Sequence, residues 1–147
     1  MEGFSVRLAI WSEVGAQASA IREEVFVREQ KVPPEEELDE EDVFSIHVIA
    51  CDAAGTPIGT GRLLRNAHIG RMAVRRTWRG KGVGSAMLLA LVDEARLQGF
   101  TRVVLSAQYH ARGFYAAHGF VAEGEIYKDA GIEHVTMTRA LRGAELQ

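Results

Sequence analysis

The stretch from residue 69 to 85, Ile-Gly-Arg-Met-Ala-Val-Arg-Arg-Thr-Trp-Arg-Gly-Lys-Gly-Val-Gly-Ser, restricts the possible folds more than any other part of the chain. Its apolar start predicts a strand over residues 69–74. Its end opens a predicted helix over residues 82–98, where Val83, Met87, Leu88, Leu91, Val92 and Ala95 recur at helical spacing and Gly99 supplies the stop. Between them lies a basic loop rich in glycine. A strand feeding such a loop and then a helix has the physical form of a phosphate cradle. Glycines let the backbone approach an anion closely, and the unpaired N–H groups of a helix's first turn point at it. Arg79 and Lys81 add positive charge at the same place. The loop is not a Walker loop, because Gly-x-x-x-x-Gly-Lys-Ser/Thr is absent. Nor is it a dinucleotide fingerprint, because Gly80-x-Gly82-x-Gly84 has the wrong spacing.

The rest of the chain arranges itself around this unit. Phe4, Val6, Leu8 and Ile10 alternate with polar or small residues and predict a half-buried strand. Ser12 is placed to cap a helix running to about Arg28, with Ile21, Val25 and Phe26 on its apolar side. Residues 46–51 and 58–64 flank the turn signal Asp52-Ala53-Ala54-Gly55 and predict a hairpin. Residues 103–107 form a short predicted strand, and 111–118 a short helix stopped by Gly119. Residues 121–127 and 134–138 are predicted strands around a turn at 128–131. This order predicts an α/β (mixed α+β) layered architecture: a central mixed, mostly antiparallel twisted sheet of about six or seven strands flanked by three or four helices. With 147 residues the chain suits one domain that buries its own core. The expected domain spans residues 1–147, with its core at about 4–140.

Charge is unevenly spread. Residues 35–42 hold seven acids, broken only by Leu38, and read as a solvated loop. From residue 43 to 92 the only acid is Asp52, whereas Arg62, Arg65, Arg71, Arg75, Arg76, Arg79 and Lys81 are basic and converge on the glycine-rich loop. A locally positive surface on a chain of net charge -3 predicts a small anionic ligand rather than a nucleic acid. No apolar run approaches the ~20 residues a membrane span needs. No signal peptide is legible at the start, and the single Cys51 fits a reducing compartment. The expected protein is cytoplasmic, with neither a nucleic-acid nor a membrane partner, and a homodimer is compatible with it. The five histidines form no His-x-x-x-His pair and Cys51 stands alone, so no metal site is expected.

Arg79-Gly80-Lys81-Gly82-Val83-Gly84 fits the pattern Arg/Gln-x-x-Gly-x-Gly/Ala and resembles the acetyl-CoA loop of the GNAT N-acetyltransferase family. Met72-Ala73-Val74 is similar to the Leu-Ala-Val strand end that precedes that loop. Phe114-Tyr115-x-x-His118-Gly119-Phe120 resembles the family's second signature, and the resemblance runs from about residue 4 to 139. Phe26-Val27-Arg28-Glu29-Gln30, with Asp39 and His47 downstream, and Ala107-Gln108-x-His110 are similar to the small bacterial ElaA-like subfamily. Gly131-Ile132-x-His134-x-x-Met137 looks like that group too, and like the C-terminal strand of glyphosate N-acetyltransferases, where a histidine serves as base. The resemblance implies the acyl-CoA N-acyltransferase fold, acetyl-CoA as co-substrate, and transfer to a primary or secondary amine of a small molecule. It also implies that Arg79, Gly80, Lys81, Gly82, Val83, Gly84 and Ser85 hold the cofactor diphosphate. Met72, Ala73 and Val74 then follow the pantetheine arm, with Phe114 and Tyr115 beside the cofactor.

Such a transfer removes a proton from an ammonium and releases a thiolate. Many family members use a glutamate on the strand before the loop, but here Arg71 and Met72 stand there and no acid lies between Asp52 and Asp93. His134 is the leading replacement, because an imidazole titrates near neutrality. A histidine merely packed on a final strand is the competing reading. Tyr115 is similar to the family tyrosine whose hydroxyl lies near the cofactor sulfur as general acid, against the plainer role of an aromatic anchor. Gln108 and His110, beyond a strand end, are expected to line the acceptor pocket, with His47 a weaker candidate, and His118 to cap or pack its helix. Arg22 and Arg71 resemble positions that hold a carboxylate in the glyphosate enzymes, which implies an anionic or zwitterionic acceptor. If the acidic run folded over the pocket, it would draw polyamines or basic peptides instead. The missing glutamate leaves a non-catalytic acetyl-CoA-binding or sensing domain as the alternative.

Overall fold

The computed structural model describes residues 3–37 and 39–141; Met1, Glu2, Leu38 within the acidic run, and residues 142–147 lie outside it. Strand β1 (Phe4–Ile10) leads into α1 (Trp11–Arg22), which continues into a π-helical segment (Glu23–Glu29). A short α2 (Pro34–Glu37) and a 3-10 turn (Glu40–Phe44) precede β2 (Ile46–Asp52), β3 (Pro57–Leu63) and β4 (His68–Val74). Helix α3 (Val83–Leu97), β5 (Arg102–Gln108), α4 (Arg112–Ala117), β6 (Val121–Asp129) and β7 (Ile132–Ala140) complete the order. The strands form one seven-stranded sheet, β1-β2-β3-β4-β5-β7-β6. All neighbours are antiparallel except β4 and β5. This is the mixed sheet that the sequence pattern predicts.

The six residues of α3 singled out by their spacing are its buried face. They pack on Val48, Ile58, Leu63 and Leu105 across the sheet. Each fully buried Leu or Met there contributes roughly 1.5–3 kcal/mol of transfer free energy. On the opposite face Val14, Ile21 and Val25 cover Ile49 and Ala73. Three local expectations change. Ile10, not Ser12, precedes the first turn of α1, and the Glu13 carboxylate accepts the Ile10 N–H at 3.3 Å. The helix reaches the predicted length but winds more loosely after Arg22, so the Gln30 N–H donates to the Val25 carbonyl five residues back at 3.0 Å. In β1 the alternation holds for Phe4 and Val6, whereas the edge position leaves Leu8 and Ile10 exposed and buries Ala9.

One departure from regularity shapes the site. The parallel strands β4 and β5 pair only at His68–Val104 and Ile69–Leu105, and then part. The β3–β4 register shifts at the same level, so that Gly61 faces both Arg71 and Met72, and Arg71 takes a φ of 50°. Such a bulge bends the strand that carries it. A Cβ on Gly61 would come within 2.5 Å of the Met72 sulfur, so a larger residue here would displace the Met72 side chain beside the bulge. A non-glycine residue with positive φ costs of order 1–3 kcal/mol, and strain of this kind clusters at functional sites. Here it opens a slot in the sheet.

Candidate active site

The slot widens into a cavity of about 260 Å³. Its walls are Ile69, Gly70, Arg71 and Met72 of β4, Leu105, Ser106 and Gln108 of β5, and Tyr115 of α4. Phe26 and Gln30 close it from the π segment, Glu36 and Glu37 from α2, and Asp129, Ala130, Ile132 and His134 from the β6–β7 hairpin. The divergence of two strands and the meeting of the π segment, α2, α4 and the β6–β7 hairpin therefore build one site.

The β4–α3 loop lies beyond the end of β4. Gly82, immediately before α3, has a φ of 88°, a left-handed conformation that side chains disfavour. The helix's first bond runs from the Ala86 N–H to the Gly82 carbonyl at 3.0 Å, so the N–H groups of Val83, Gly84 and Ser85 lack an intrahelical acceptor. A Cβ on Gly84 would touch the Phe114 ring at 3.4 Å. Three backbone donors at the positive end of a 15-residue helix suit a diphosphate. Met72 and Val74 are half-buried on the α3 side, whereas Ala73 points its methyl toward α1 and offers the slot only backbone. The Lys81 ammonium lies 5.3 Å from the Trp78 ring centre. Arg79 is exposed yet engaged within the protein: Nη1 and Nη2 donate to the Glu29 carboxylate at 2.6 and 2.8 Å, and Nε to the Val74 carbonyl at 2.9 Å.

His134 is 8% exposed in the cavity wall. Its Nδ1 lies 2.7 Å from the Ile132 carbonyl. A carbonyl can only accept, so Nδ1 carries the proton and the neutral ring keeps its lone pair on Nε2. Tyr127 stacks on the imidazole at 5.9 Å, and its hydroxyl shares a short hydrogen bond with Ser106. Tyr115 lies edge-on to Phe114 and Phe120, with ring centres 5.0 and 6.0 Å away. Burial pushes its phenol up to about 12. Gln108 exchanges amide hydrogen bonds with Gln30 across the cavity at 2.8 and 3.3 Å. His110 is exposed and outside the lining, where its Nε2 donates to the Gln108 carbonyl oxygen at 2.8 Å. His118 donates to the Phe114 carbonyl and packs on that ring, the packing role expected of it. His47 is buried beneath Trp11, and its Nε2 donates to the Asp42 carbonyl at 2.8 Å; burial lowers its pKa.

The acidic run is not the solvated loop its composition suggests. Glu37 and Asp42 are buried, and Arg22, Arg62 and Arg71 meet them. Arg22 donates to Glu37 and, through both terminal nitrogens, to Asp42 at 2.9 and 3.1 Å. Arg62 grips Asp39 at 2.6 Å and shares Asp42 at 2.9 Å. Arg71 donates to the Glu37 carbonyl and to Asp39. Arg22 is therefore a structural cation, 2% exposed and absent from the cavity lining, and does not reach a substrate. The basic block is likewise paired along much of its length, with Arg65 on Glu41, Arg75 on Glu24, and Arg79 on Glu29.

This network is acid-sensitive in a defined window. The Arg62 guanidinium holds the Asp39 carboxyl down to about 2, against ~3.9 for a free aspartate. Burial works against Asp42, yet Arg22 and Arg62 keep it below the ordinary range. A depressed carboxylate stabilises fully above its unfolded value, and the contribution is lost as pH falls through the folded one. Thermal unfolding is expected to show Tm dropping between pH 4 and about 2. Asp42→Asn, which leaves Arg22 and Arg62 short of a buried partner, is expected to cost ~3 kcal/mol in urea unfolding at pH 7. A variant as stable as the parent would return these acids to solvent.

Several lining residues carry no signal of their role in the sequence. Ser106 is the exception, because Leu105 and Ala107 turn inward and leave it on the other face of β5. Phe26 and Gln30 stand inside a recognised motif without an assigned role, and Asp129 inside a turn signal. Nothing local marks them as neighbours.

A sheet parted between two parallel strands, with a helix N-terminus beyond one strand and a cavity between them, defines the acyl-CoA N-acyltransferase fold. Residues 12–141 match the family model of an acetyltransferase (GNAT) domain. The chain is 39% identical over 123 residues to the uncharacterized N-acetyltransferase YjcF of Bacillus subtilis (strain 168), covering 81% of this chain and 87% of that protein. Its fold matches an acyl-CoA N-acyltransferase from Pseudomonas aeruginosa with a TM-score of 0.79 at 32% identity, over 95% of this chain and 100% of that one. Escherichia coli ElaA matches with a TM-score of 0.83 at 26% identity, over 92% and 99%. The chain belongs to the GNAT acetyltransferase family and is an acyl-CoA-dependent N-acetyltransferase. No described helix is long and apolar enough to cross a membrane, and no described group of three or more His, Cys, Asp or Glu is arranged to hold a metal.

Proposed function

We propose that the protein moves an acetyl group from acetyl-CoA to a primary or secondary amine of a small molecule by direct attack, with His134 as base and Tyr115 as donor at the departing sulfur. One observation carries this reading: the Tyr115 hydroxyl, which has no hydrogen bond among the described residues, and His134, with Nε2 left to accept, line one cavity between the parted strands. Acetyl-CoA, when bound, supplies the acyl group as an activated thioester. The backbone of residues 79–85 would hold its diphosphate and that of Met72, Ala73 and Val74 its pantetheine arm. His134 then takes the amine proton at Nε2 while its Nδ1–H stays on the Ile132 carbonyl, which fixes the ring. Two acids near the site, Glu29 and Asp39, are poor substitutes. The Arg79 hydrogen bond holds Glu29 below the ordinary carboxylate range, and Arg62 does the same to Asp39.

Tyr115 keeps its proton across the physiological range, because burial has pushed it up to about 12. Handing that proton fully to a thiolate of ordinary thiol pKa, ~8.5, would run uphill. Its contribution is therefore a hydrogen bond to the charge developing on sulfur, which is stronger than one to a neutral acceptor.

The acceptor's charge follows from the ionic balance of the wall. Arg71 faces Glu37 and Asp39, whereas Glu36 and Asp129 line the cavity with no ion pair among the described residues. That balance favours an amine whose remainder is neutral or cationic over one bearing a carboxylate. A panel of amines with acetyl-CoA, read by free-thiol release, tests the whole reading. Alkyl diamines are expected to turn over faster than amino acids of similar length. Faster turnover of the amino acids would make Arg71 the carboxylate holder that the glyphosate enzymes suggest. Tight acetyl-CoA binding with no amine turned over would leave the binding-domain reading in its place.

In the loop, Gly82→Val forces a β-branched residue into a left-handed conformation at the mouth of the proposed diphosphate site. Strain of ~1–3 kcal/mol there would be relieved by moving the loop. CoA binding by calorimetry is expected to weaken by about tenfold or more. A folded Gly82→Val protein with unchanged affinity would remove the loop from the site.

A further inference from the structure

We propose that Glu29 and Arg79 form a clamp that holds the cofactor loop against the acceptor wall, with Arg79 acting as a positioning residue rather than as a ligand for the diphosphate. The proposal rests on acyl-CoA binding at this loop. Three of the five N–H groups of Arg79 are engaged within the protein. Nε closes the loop onto its own start at the Val74 carbonyl, and the two terminal nitrogens form a fork on Glu29 at 2.6 and 2.8 Å. Such a two-point pair fixes orientation as well as distance, which a single point charge does not.

The partner's position gives the clamp its second function. Glu29 ends the π-helical segment, and the next residue, Gln30, exchanges amide hydrogen bonds with Gln108 at the end of β5. Phe26, in the same segment, lines the cavity. One short stretch thus ties the loop after β4 to the tip of β5, across the gap where these strands have parted. The loose winding makes this possible. Each residue of an α-helix turns by about 100°, so the extra residue in the wide turns redirects every later side chain by that angle. A regular continuation of α1 would aim Glu29 and Gln30 elsewhere. Glu29 also lies 3.9 Å from Arg76, and Glu24 lies 3.6 Å from Arg75, so the segment meets the loop at three arginines.

The test is a double-mutant cycle with Glu29→Gln, Arg79→Gln and the pair. It is read as CoA affinity by calorimetry and as urea unfolding of the unliganded protein. Each single change is expected to raise the Kd for CoA by about three- to tenfold, the pair to raise it no further than the worse single, and the unfolding data to show coupling of the same sign. Arg79→Lys keeps the charge and loses the fork, so it is expected to bind CoA as poorly as Arg79→Gln. If Glu29→Gln tightens CoA binding, or Arg79→Lys restores it, Arg79 is a diphosphate ligand that Glu29 competes for, and the proposal is overturned. Coupling in urea with none in CoA affinity reduces the pair to a stabilising surface contact and overturns it as well. A parent protein that fails to bind CoA at all overturns the reading of the loop itself, a result distinct from both.

Discussion

His134→Ala is expected to lower kcat/KM by ~10²–10⁴-fold, the range that a positioned general base contributes. The argument is geometric. Nδ1 is committed to the Ile132 carbonyl at 2.7 Å, Tyr127 stacks on one face of the ring, and the residue is only 8% exposed. The imidazole therefore has one orientation and one free nitrogen. Glu29 and Asp39 are ion-paired, with Arg79 and Arg62, and both are held below their ordinary range, which leaves Glu36 and Asp129 as the carboxylates of the cavity wall without an ion pair among the described residues. CoA affinity should remain unchanged, because His134 lies on the hairpin side of the cavity rather than on the cofactor loop. A His134→Ala protein that keeps its turnover would leave water, or a wall carboxylate such as Glu36 or Asp129, as the acceptor for the proton.

Tyr115→Phe is expected to lower kcat by roughly 10²-fold, the lower end of what losing one oriented donor to a developing charge costs. CoA affinity should stay within about threefold, since the change removes a hydroxyl and keeps the ring between Phe114 and Phe120. Burial has pushed the Tyr115 phenol up to about 12, so the parent should show no loss of activity attributable to this group anywhere below pH ~11. That separates a hydrogen-bond donor from an acid that empties near neutrality. Normal turnover in the phenylalanine variant would reduce Tyr115 to packing.

Much of this site is legible in the amino-acid sequence. The six inward residues of α3 announce themselves by spacing, and Gly82 stands where the helix opens with a left-handed backbone. The hairpin that carries His134 follows from the turn signal at 128–131 between two predicted strands. The ionic network is not legible. An arginine in a helix and a run of acids each look solvated when read alone, yet Arg22 meets Glu37 and Asp42 with almost no exposure. The expectation that Arg22 would hold a substrate anion fails for that reason. Its charge is already balanced from within.

What the sequence by itself determined about this protein is the order of its strands and main helices, their buried faces and the glycine-rich loop that opens α3. These depend on the period of apolar residues and on backbone freedom at single glycines, both of which are local properties. The tertiary structure alone decided which charges neutralise one another and where the sheet parts. It also decided which side chains share the cavity. Arg22 finds its acids 15 and 20 positions away, and Glu29 finds Arg79 at 50. A salt bridge depends on distance in space and on burial, and neither can be read from neighbours along the chain. The slot has the same origin: Gly61 makes room for the Met72 side chain beside the bulge, and only the registered sheet brings the two strands together.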